Sequence, residues 1–334
     1  MRSPSEYALD HVPDAVNAPV LDDEERARVG TIYKQTSPFQ AKKIGAALVA
    51  RNVGRHVEER FASRLPAWKP LVYCWRGGKR SAAMAHVLRE IGWEAATLEG
   101  GYKAYRREVV AQLELLPARF SFQVICGATG SGKSRLLESL ARHGAQVLDL
   151  ERLACHRGSV LGELPQYPQP PQKMFESLVW QALRRMDPAR PVYVEAESKK
   201  IGQLQVPGAL IDRMREGRCV RVDAPLAARV EFLMSEYRHF LEHPEALEEK
   251  LSCLSGLYGK EVINRWIAQI QSGAWNDLVG DLLVHHYDPA YRRSTLRNFQ
   301  GFQEARVLET ESLSLEAISS AAEQLVRAVE HENG

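Results

Sequence analysis

The stretch FSFQVICGATGSGKS, residues 120–134, decides the fold. Its apolar start, FSFQVIC, reads as a buried strand. GATGSGKS (127–134) follows at once and matches G-x-x-x-x-G-K-[ST] at every position. RLLESLARHG then reads as an amphipathic helix that Gly144 ends. Strand, glycine turn and helix are the context that makes this motif a phosphate cradle. Gly127, Gly130 and Gly132 open the turn, so that backbone N–H groups and the helix N-terminus face an anion. Lys133 would reach the terminal phosphate, and Ser134 could hold Mg²⁺. The motif names no particular phosphate: a diphosphate on a lipid precursor fits it as well as a nucleotide.

Downstream, AQVLDL, PVYVEAE and CVRVDA read as further strands separated by helices, the pattern of a parallel α/β sheet. A partner acid is expected at a neighbouring strand end. Glu195 and Glu197 share a face if their strand persists, and VLDLE offers Asp149 and Glu151. The plain alternative pairs one of these acids with Lys199 or Lys200. Residues 226–276 look mostly helical, and 312–330 reads as a final amphipathic helix. ELPQYPQPPQ (163–172) reads as a proline-rich loop.

Upstream, PLVYCW (70–75) reads as a strand. KRSAAMAHVLREIG reads as a helix with Ala83, Val87 and Ile91 along one stripe, EAATLEGG as strand and turn, and YKAYRREVVAQLELL as a helix. LPARFS (116–121) is the junction. The expected organisation is therefore one α/β domain over 1–115 and a phosphate-loop domain over 120–334 with helical additions.

YCWRGGKRS (73–81) gives the first domain its chemistry. A strand ends at Cys74, a tight loop follows, and then a helix begins. Successive N–H groups can converge on the sulfur, and the helix adds its positive end. Arg76, Lys79 and Arg80 add charge, and Gly77 and Gly78 let the backbone curl. Each effect lowers the thiol pKa. Arg80 stands six positions after Cys74, a C-x5-R loop. Phosphatases use this spacing to attack phosphorus, and rhodanese-type sulfur carriers use a shorter one. Both chemistries make Cys74 a nucleophile, and the loop itself leaves both open.

Composition sets outer limits. The chain has 334 residues, 45% hydrophobic and 26% charged, and a net charge of +2, so no global basic field announces nucleic acid. Its five cysteines (Cys74, Cys126, Cys155, Cys219 and Cys253) have no C-x-x-C spacing, so neither a disulfide framework nor a metal site is expected. No apolar run spans a membrane and no signal-peptide core opens the chain. A cytoplasmic monomer without membrane contact is the expectation. Local basic patches remain: HHYDPAYRRSTLRNF (285–299) interleaves His286, Tyr287, Tyr291 and Phe299 with Arg292, Arg293 and Arg297. Arginines and aromatic planes of this kind hold unstacked RNA bases and phosphates. CHRGSV (155–160) adds a second basic turn.

YCWRGGKRS, LEGGYKAYR, GATGSGKS, HRGSVLGELP, VEAESKKIG and HHYDPAYRRS, in that order, resemble the signatures of the tRNA 2-selenouridine synthase family, and they cover nearly the whole chain. The resemblance implies an N-terminal rhodanese-like domain fused to a P-loop domain. It implies a transferase acting on the wobble uridine of tRNA. Geranyl diphosphate would alkylate the sulfur of 2-thiouridine, and selenium from selenophosphate would then replace the S-geranyl group through a cysteine-bound selenium intermediate. No resident cofactor follows from it. On the residues, Cys74, Arg76 and Arg80 are then catalytic. Gly77, Gly78, the glycines of GATGSGKS, Lys133, Ser134, Glu195 and Glu197 bind phosphate, and Arg292, Arg293 and Arg297 bind tRNA. The competing expectations are a P-loop kinase or ATPase with a regulatory thiol domain, and a non-enzymatic module whose thiol loop senses redox state or anions. Family members carry an apolar strand before RSPSEY; here Met1 stands there. The first sheet is therefore expected to lack its first strand, with residues 2–20 as loop and turn; either the natural start lies roughly ten or more residues upstream, or the sheet has an altered edge.

Overall fold

The computed structural model describes the chain except residues 160, 165, 253 and 334, and leaves aside the side chains at 239 and 329–333. Val160 and Pro165 of the HRGSVLGELP signature, and Cys253, thus lie outside the described residues. Two compact units divide the chain: Met1–Glu114 with Pro170–Gln181, and Leu115–Gln169 with Ala182–Gly334.

In the first unit, β1 (Leu71–Val72) pairs in parallel with β2 (Ala96–Thr97). Val20, Val53, Val72, Met84, Leu88 and Trp93 bury their side chains around this short ladder, together with Cys74. Among the described residues no strand precedes Leu71. The loop expected over residues 2–20 holds a short helix, Pro4–Leu9. Pro4 suits its first turn, and Glu6 returns to accept from Ser3 N at 3.3 Å. The helix Lys79–Glu90 buries Ser81, Met84, Ala85 and Leu88, not the Ala83–Val87–Ile91 stripe, and Ile91 is 47% exposed. Residues four apart drift round a 3.6-residue turn, and the thiol loop fixes the phase by placing Ser81 against Cys74. The helix Gln172–Arg184 lends its first turns to this unit: Arg106 donates to Lys173 O at 3.1 Å and pairs with Glu176, and Trp180 meets Tyr105 edge-on.

In the second unit, β3 (Phe122–Cys126), β4 (Gln146–Leu148), β5 (Val192–Glu195), β8 (Arg218–Asp223) and β9 (Arg306–Glu309) form one parallel sheet in the order β4-β5-β3-β8-β9. Val124, Ile125 and Cys126 of the central strand are fully buried, as a strand covered on both faces requires. The helices Lys133–Arg142 and Leu315–Asn333 cover one face, with Leu136, Leu137 and Leu140 packed with Ile318, Ala322 and Leu325. Among the elements that went unread in the sequence are the helices Asp23–Gln35 and Pro38–His56 of the first unit, and in the second β9 and the hairpin of β6 (Lys200–Ile201) with β7 (Leu204–Gln205), turned at Gly202. The helices from Leu226 to Leu282 build a second core of their own around Trp266, Leu251 and Leu278.

Candidate active sites

β1 stops at Val72, short of the strand expected over 70–75, so Cys74 lies two residues beyond it, at the start of the loop, and is 3% exposed. Its loop is clamped from behind by the next strand-to-helix turn: Tyr102 N donates to Cys74 O at 2.9 Å and Lys103 N to Trp75 O at 3.0 Å. That approach requires glycine. A Cβ on Gly101 would stand 2.3 Å from Gly77 N and 2.4 Å from Cys74 O, which gives LEGGYKAYR its structural task. Asp10 accepts from Tyr102 Oη at 2.8 Å, and Arg2 lies over the Tyr102 ring at 3.8 Å.

Burial alone would push the Cys74 thiol up. The Ser81 hydroxyl, which donates to Sγ at 3.3 Å, and the N–H groups of Ser81, Arg76 and Gly78 outweigh it, so the thiol lies below its ordinary value. Neutral donors thus do the work that the sequence assigned partly to charge. Arg76 and Lys79 are exposed, and Arg80 approaches Glu6 at 3.4 Å. Ser81 is the residue sequence reasoning missed here; its place directly after C-x5-R was the available signal. Removing it takes away the largest of the contributions that oppose burial, and the three N–H groups remain. Ser81→Ala is expected to move the pH profile of Cys74 alkylation by iodoacetamide to higher pH, slowing alkylation at neutral pH by on the order of tenfold. An unmoved profile would remove Ser81 from the site.

The phosphate loop caps β3, the central strand, at its carboxyl end, where parallel sheets receive ligands. Gly130 and Gly132 take φ of +79° and +78°. Lys133 Nζ donates to Gly127 O at 2.8 Å and Ala128 O at 3.3 Å, and Tyr291 Oη accepts from Gly127 N at 2.6 Å. Burial lowers the Lys133 pKa, while Glu151 and Glu197 oppose the fall. Ser134 Oγ donates to Glu151 Oε2 at 3.0 Å, and Glu195 Oε1 accepts from Glu151 N at 2.7 Å. Glu195 therefore positions Glu151, and Glu151 is the acid that meets Ser134. β5 ends at Glu195, so Glu197 lies beyond the strand. Burial, reinforced by neighbouring carboxylates, raises both, Glu197 to about 8. A Cβ on Gly158 would stand 2.5 Å from Glu197 Oε1 and 2.7 Å from Glu151 Oε1, so the basic turn of CHRGSV closes over these acids. Arg229 is 6% exposed; it donates through Nε to Thr129 O at 2.9 Å and pairs with both Asp288 oxygens at 2.9 and 2.6 Å.

The basic aromatic segment divides by helical phase. Arg292, Arg293 and Arg297 lie exposed on the helix Asp288–Asn298. Its aromatics do not join them: Phe299 is 4% and His286 9% exposed, His286 Nδ1 lies 2.7 Å from Tyr258 Oη, and Tyr291 enters the phosphate loop. The segment therefore does not form the expected stacking platform, and its arginines present charge alone.

Residues 120–253 match the family model described as the tRNA 2-selenouridine synthase AAA domain, and residues 1–108 match the Rhodanese-like domain. The expected pairing of a rhodanese-like and a P-loop domain therefore holds. The chain is 38% identical to a tRNA 2-selenouridine synthase of Hydrogenovibrio crunogenus over 87% of each chain. It is 32% identical to one of Alcanivorax borkumensis over 90% of this chain and 91% of that one. The alignment with the tRNA 2-selenouridine synthase of Nitrosomonas europaea, at 36% identity, covers 71% of this chain but spans only 62% of that protein's length.

Proposed function

The chain belongs to the tRNA 2-selenouridine synthase family, and from that premise we propose that it converts the wobble 2-thiouridine of tRNA to 2-selenouridine in two steps. The observation that carries this reading is a thiol whose pKa converging donors lower, in a chain that also holds a complete phosphate loop. In the first step the thiocarbonyl sulfur attacks C1 of geranyl diphosphate. The C–O bond breaks, and diphosphate leaves with the electron pair toward Lys133 and the loop amides. Alkylation turns a poor leaving group into one that departs as a thiol. In the second step selenium replaces the S-geranyl group at C2.

The thiol loop is the proposed seat of selenophosphate, with phosphoryl oxygens on its amides and Arg80. Selenium there is already at the selenide level. Electrons balance when the Cys74 thiolate displaces selenide from phosphorus and water later hydrolyses the phosphocysteine. A Cys–S–SeH adduct formed with release of phosphate would need an added oxidant. Attack at phosphorus also suits the C-x5-R spacing.

The test is incubation with 2-thiouridine-bearing tRNA, geranyl diphosphate and selenophosphate, followed by nucleoside mass spectrometry. S-geranyl-2-thiouridine and then 2-selenouridine are expected. Nucleotide turnover without tRNA, and no modified nucleoside, would replace this reading with a kinase or ATPase.

Binding of tRNA is assigned to local charge, since the net charge is only +2. Replacing Arg292 and Arg293 by alanine should flatten the dependence of log affinity on log salt by about one unit for each arginine that neutralises a phosphate. An unchanged slope would take this helix out of the interface.

A further inference from the structure

The helix Leu226–Glu236 runs along the phosphate loop: Arg229 Nε bonds Thr129 O, and Leu233 lies where a Cβ on Gly130 would meet it at 2.9 Å. Beside the loop a pocket opens into the helical layer, with Thr129 itself in the wall. Its polar groups gather at the loop end. They are the hydroxyls of Thr129, Ser159, Tyr237 and Tyr287, and Ser159 and Leu161 N act on Tyr287. The remaining wall is carbon from Leu, Val, Met, Phe and Trp, including the buried Phe240, Leu278 and Leu282. One helical run, Trp275–Leu282 continued by Leu283–Tyr287, lines it throughout. Tyr287 stands at the loop end. Trp275 stands twelve residues earlier, about 15–18 Å away at helical rise.

A phosphate cradle that continues into a carbon-lined pocket selects an amphiphile. A nucleoside placed there would bury base edges and hydroxyls against carbon, an unfavourable exchange. An isoprenoid tail gains free energy with every carbon buried. We propose that this pocket holds the isoprenoid tail of a diphosphate seated in the phosphate loop, and that Trp275 closes its far end and sets the longest tail accepted. The inference rests on the proposed prenyl transfer and adds to it the residue that sets tail length.

The test offers the full chain an equimolar mixture of geranyl and farnesyl diphosphates with 2-thiouridine-bearing tRNA, and reads the S-prenyl nucleosides by mass spectrometry. The wild-type chain should favour geranyl transfer. Trp275→Ala should raise the farnesyl-to-geranyl product ratio by on the order of tenfold, and the milder Trp275→Leu by less. Affinity for inorganic diphosphate, measured by calorimetry, should stay unchanged in both variants. A ratio unmoved in a variant that still transfers geranyl would overturn the role of Trp275, with prenyl transfer standing. A wild-type chain that prefers geranylgeranyl diphosphate to geranyl diphosphate in direct binding would also overturn it, whether or not the variants fold. A wild-type chain that transfers no prenyl group and binds no prenyl diphosphate would take down the transfer reading and this inference together.

Discussion

Cys74→Ser is expected to abolish 2-selenouridine, by on the order of 10³-fold or more, while S-geranyl-2-thiouridine accumulates. Serine fills the same space, so the fold should persist. What disappears is the anion. The Ser81 hydroxyl and the three loop N–H groups hold a thiolate below its ordinary pKa, and they cannot bring an alkyl hydroxyl near neutrality. Geranylation is assigned to the other unit and needs no thiol. The sign of the pH dependence follows from the same donors. The thiolate exists above the lowered Cys74 pKa, so selenation should persist to lower pH than an ordinary thiol would allow and fail as pH falls through that value. The measurement is nucleoside mass spectrometry on tRNA treated with both co-substrates, with pre-geranylated tRNA as a second substrate. Normal 2-selenouridine formation by Cys74→Ser would remove Cys74 from the chemistry.

The parts of the fold legible in the sequence were those that local chemistry dictates. GATGSGKS needs a strand before it and a helix after it, and both are present as β3 and Lys133–Arg142. Gly144 ends that helix at φ +82°. β9 was not legible: ARVLET lies in a polar stretch, and Arg306 to Glu309 become a strand only because β8 offers its edge. The phase of Lys79–Glu90 was hidden for a similar reason, since contact with the thiol loop set it and not its own apolar spacing. At the sites, residues fixed by motif spacing could be named in advance, as Cys74, Lys133 and Ser134 were. Residues that arrive from distant helices could not. Arg229 reaches the loop across 100 positions of sequence, and the pocket wall is assembled from helices whose sequence reads only as buried carbon. The basic aromatic segment misled because composition carries no phase. Helical geometry sends Tyr287, Tyr291 and Thr295 inward and leaves Arg292, Arg293 and Arg297 outside.

Lys133→Ala should slow geranylation by roughly 30- to 200-fold, since a charge-assisted phosphate contact contributes about 2–3 kcal/mol. Selenation of pre-geranylated tRNA should be barely affected. Lys133 Nζ is held at the loop itself, on Gly127 O and Ala128 O, with the Tyr291 ring 5.7 Å away. Moving from two carbonyls to a diphosphate keeps its hydrogen bonds and adds attraction between full charges. That attraction grows as the C–O bond breaks and charge passes to the leaving oxygens, so the effect should fall on the rate of transfer more than on binding of the donor. The carboxylates beneath the loop sharpen the expectation. Burial and mutual repulsion raise Glu151, Glu195 and Glu197, so part of this cluster carries protons near neutral pH. Removing the lysine removes a cation that stabilises the charged forms of Glu151 and Glu197, which should raise them further and leave the overall fold intact. Single-turnover transfer from geranyl diphosphate, measured beside selenation of the pre-geranylated tRNA, separates the two steps. Fast geranylation with failed selenation in Lys133→Ala would reverse the assignment of chemistry to the two loops.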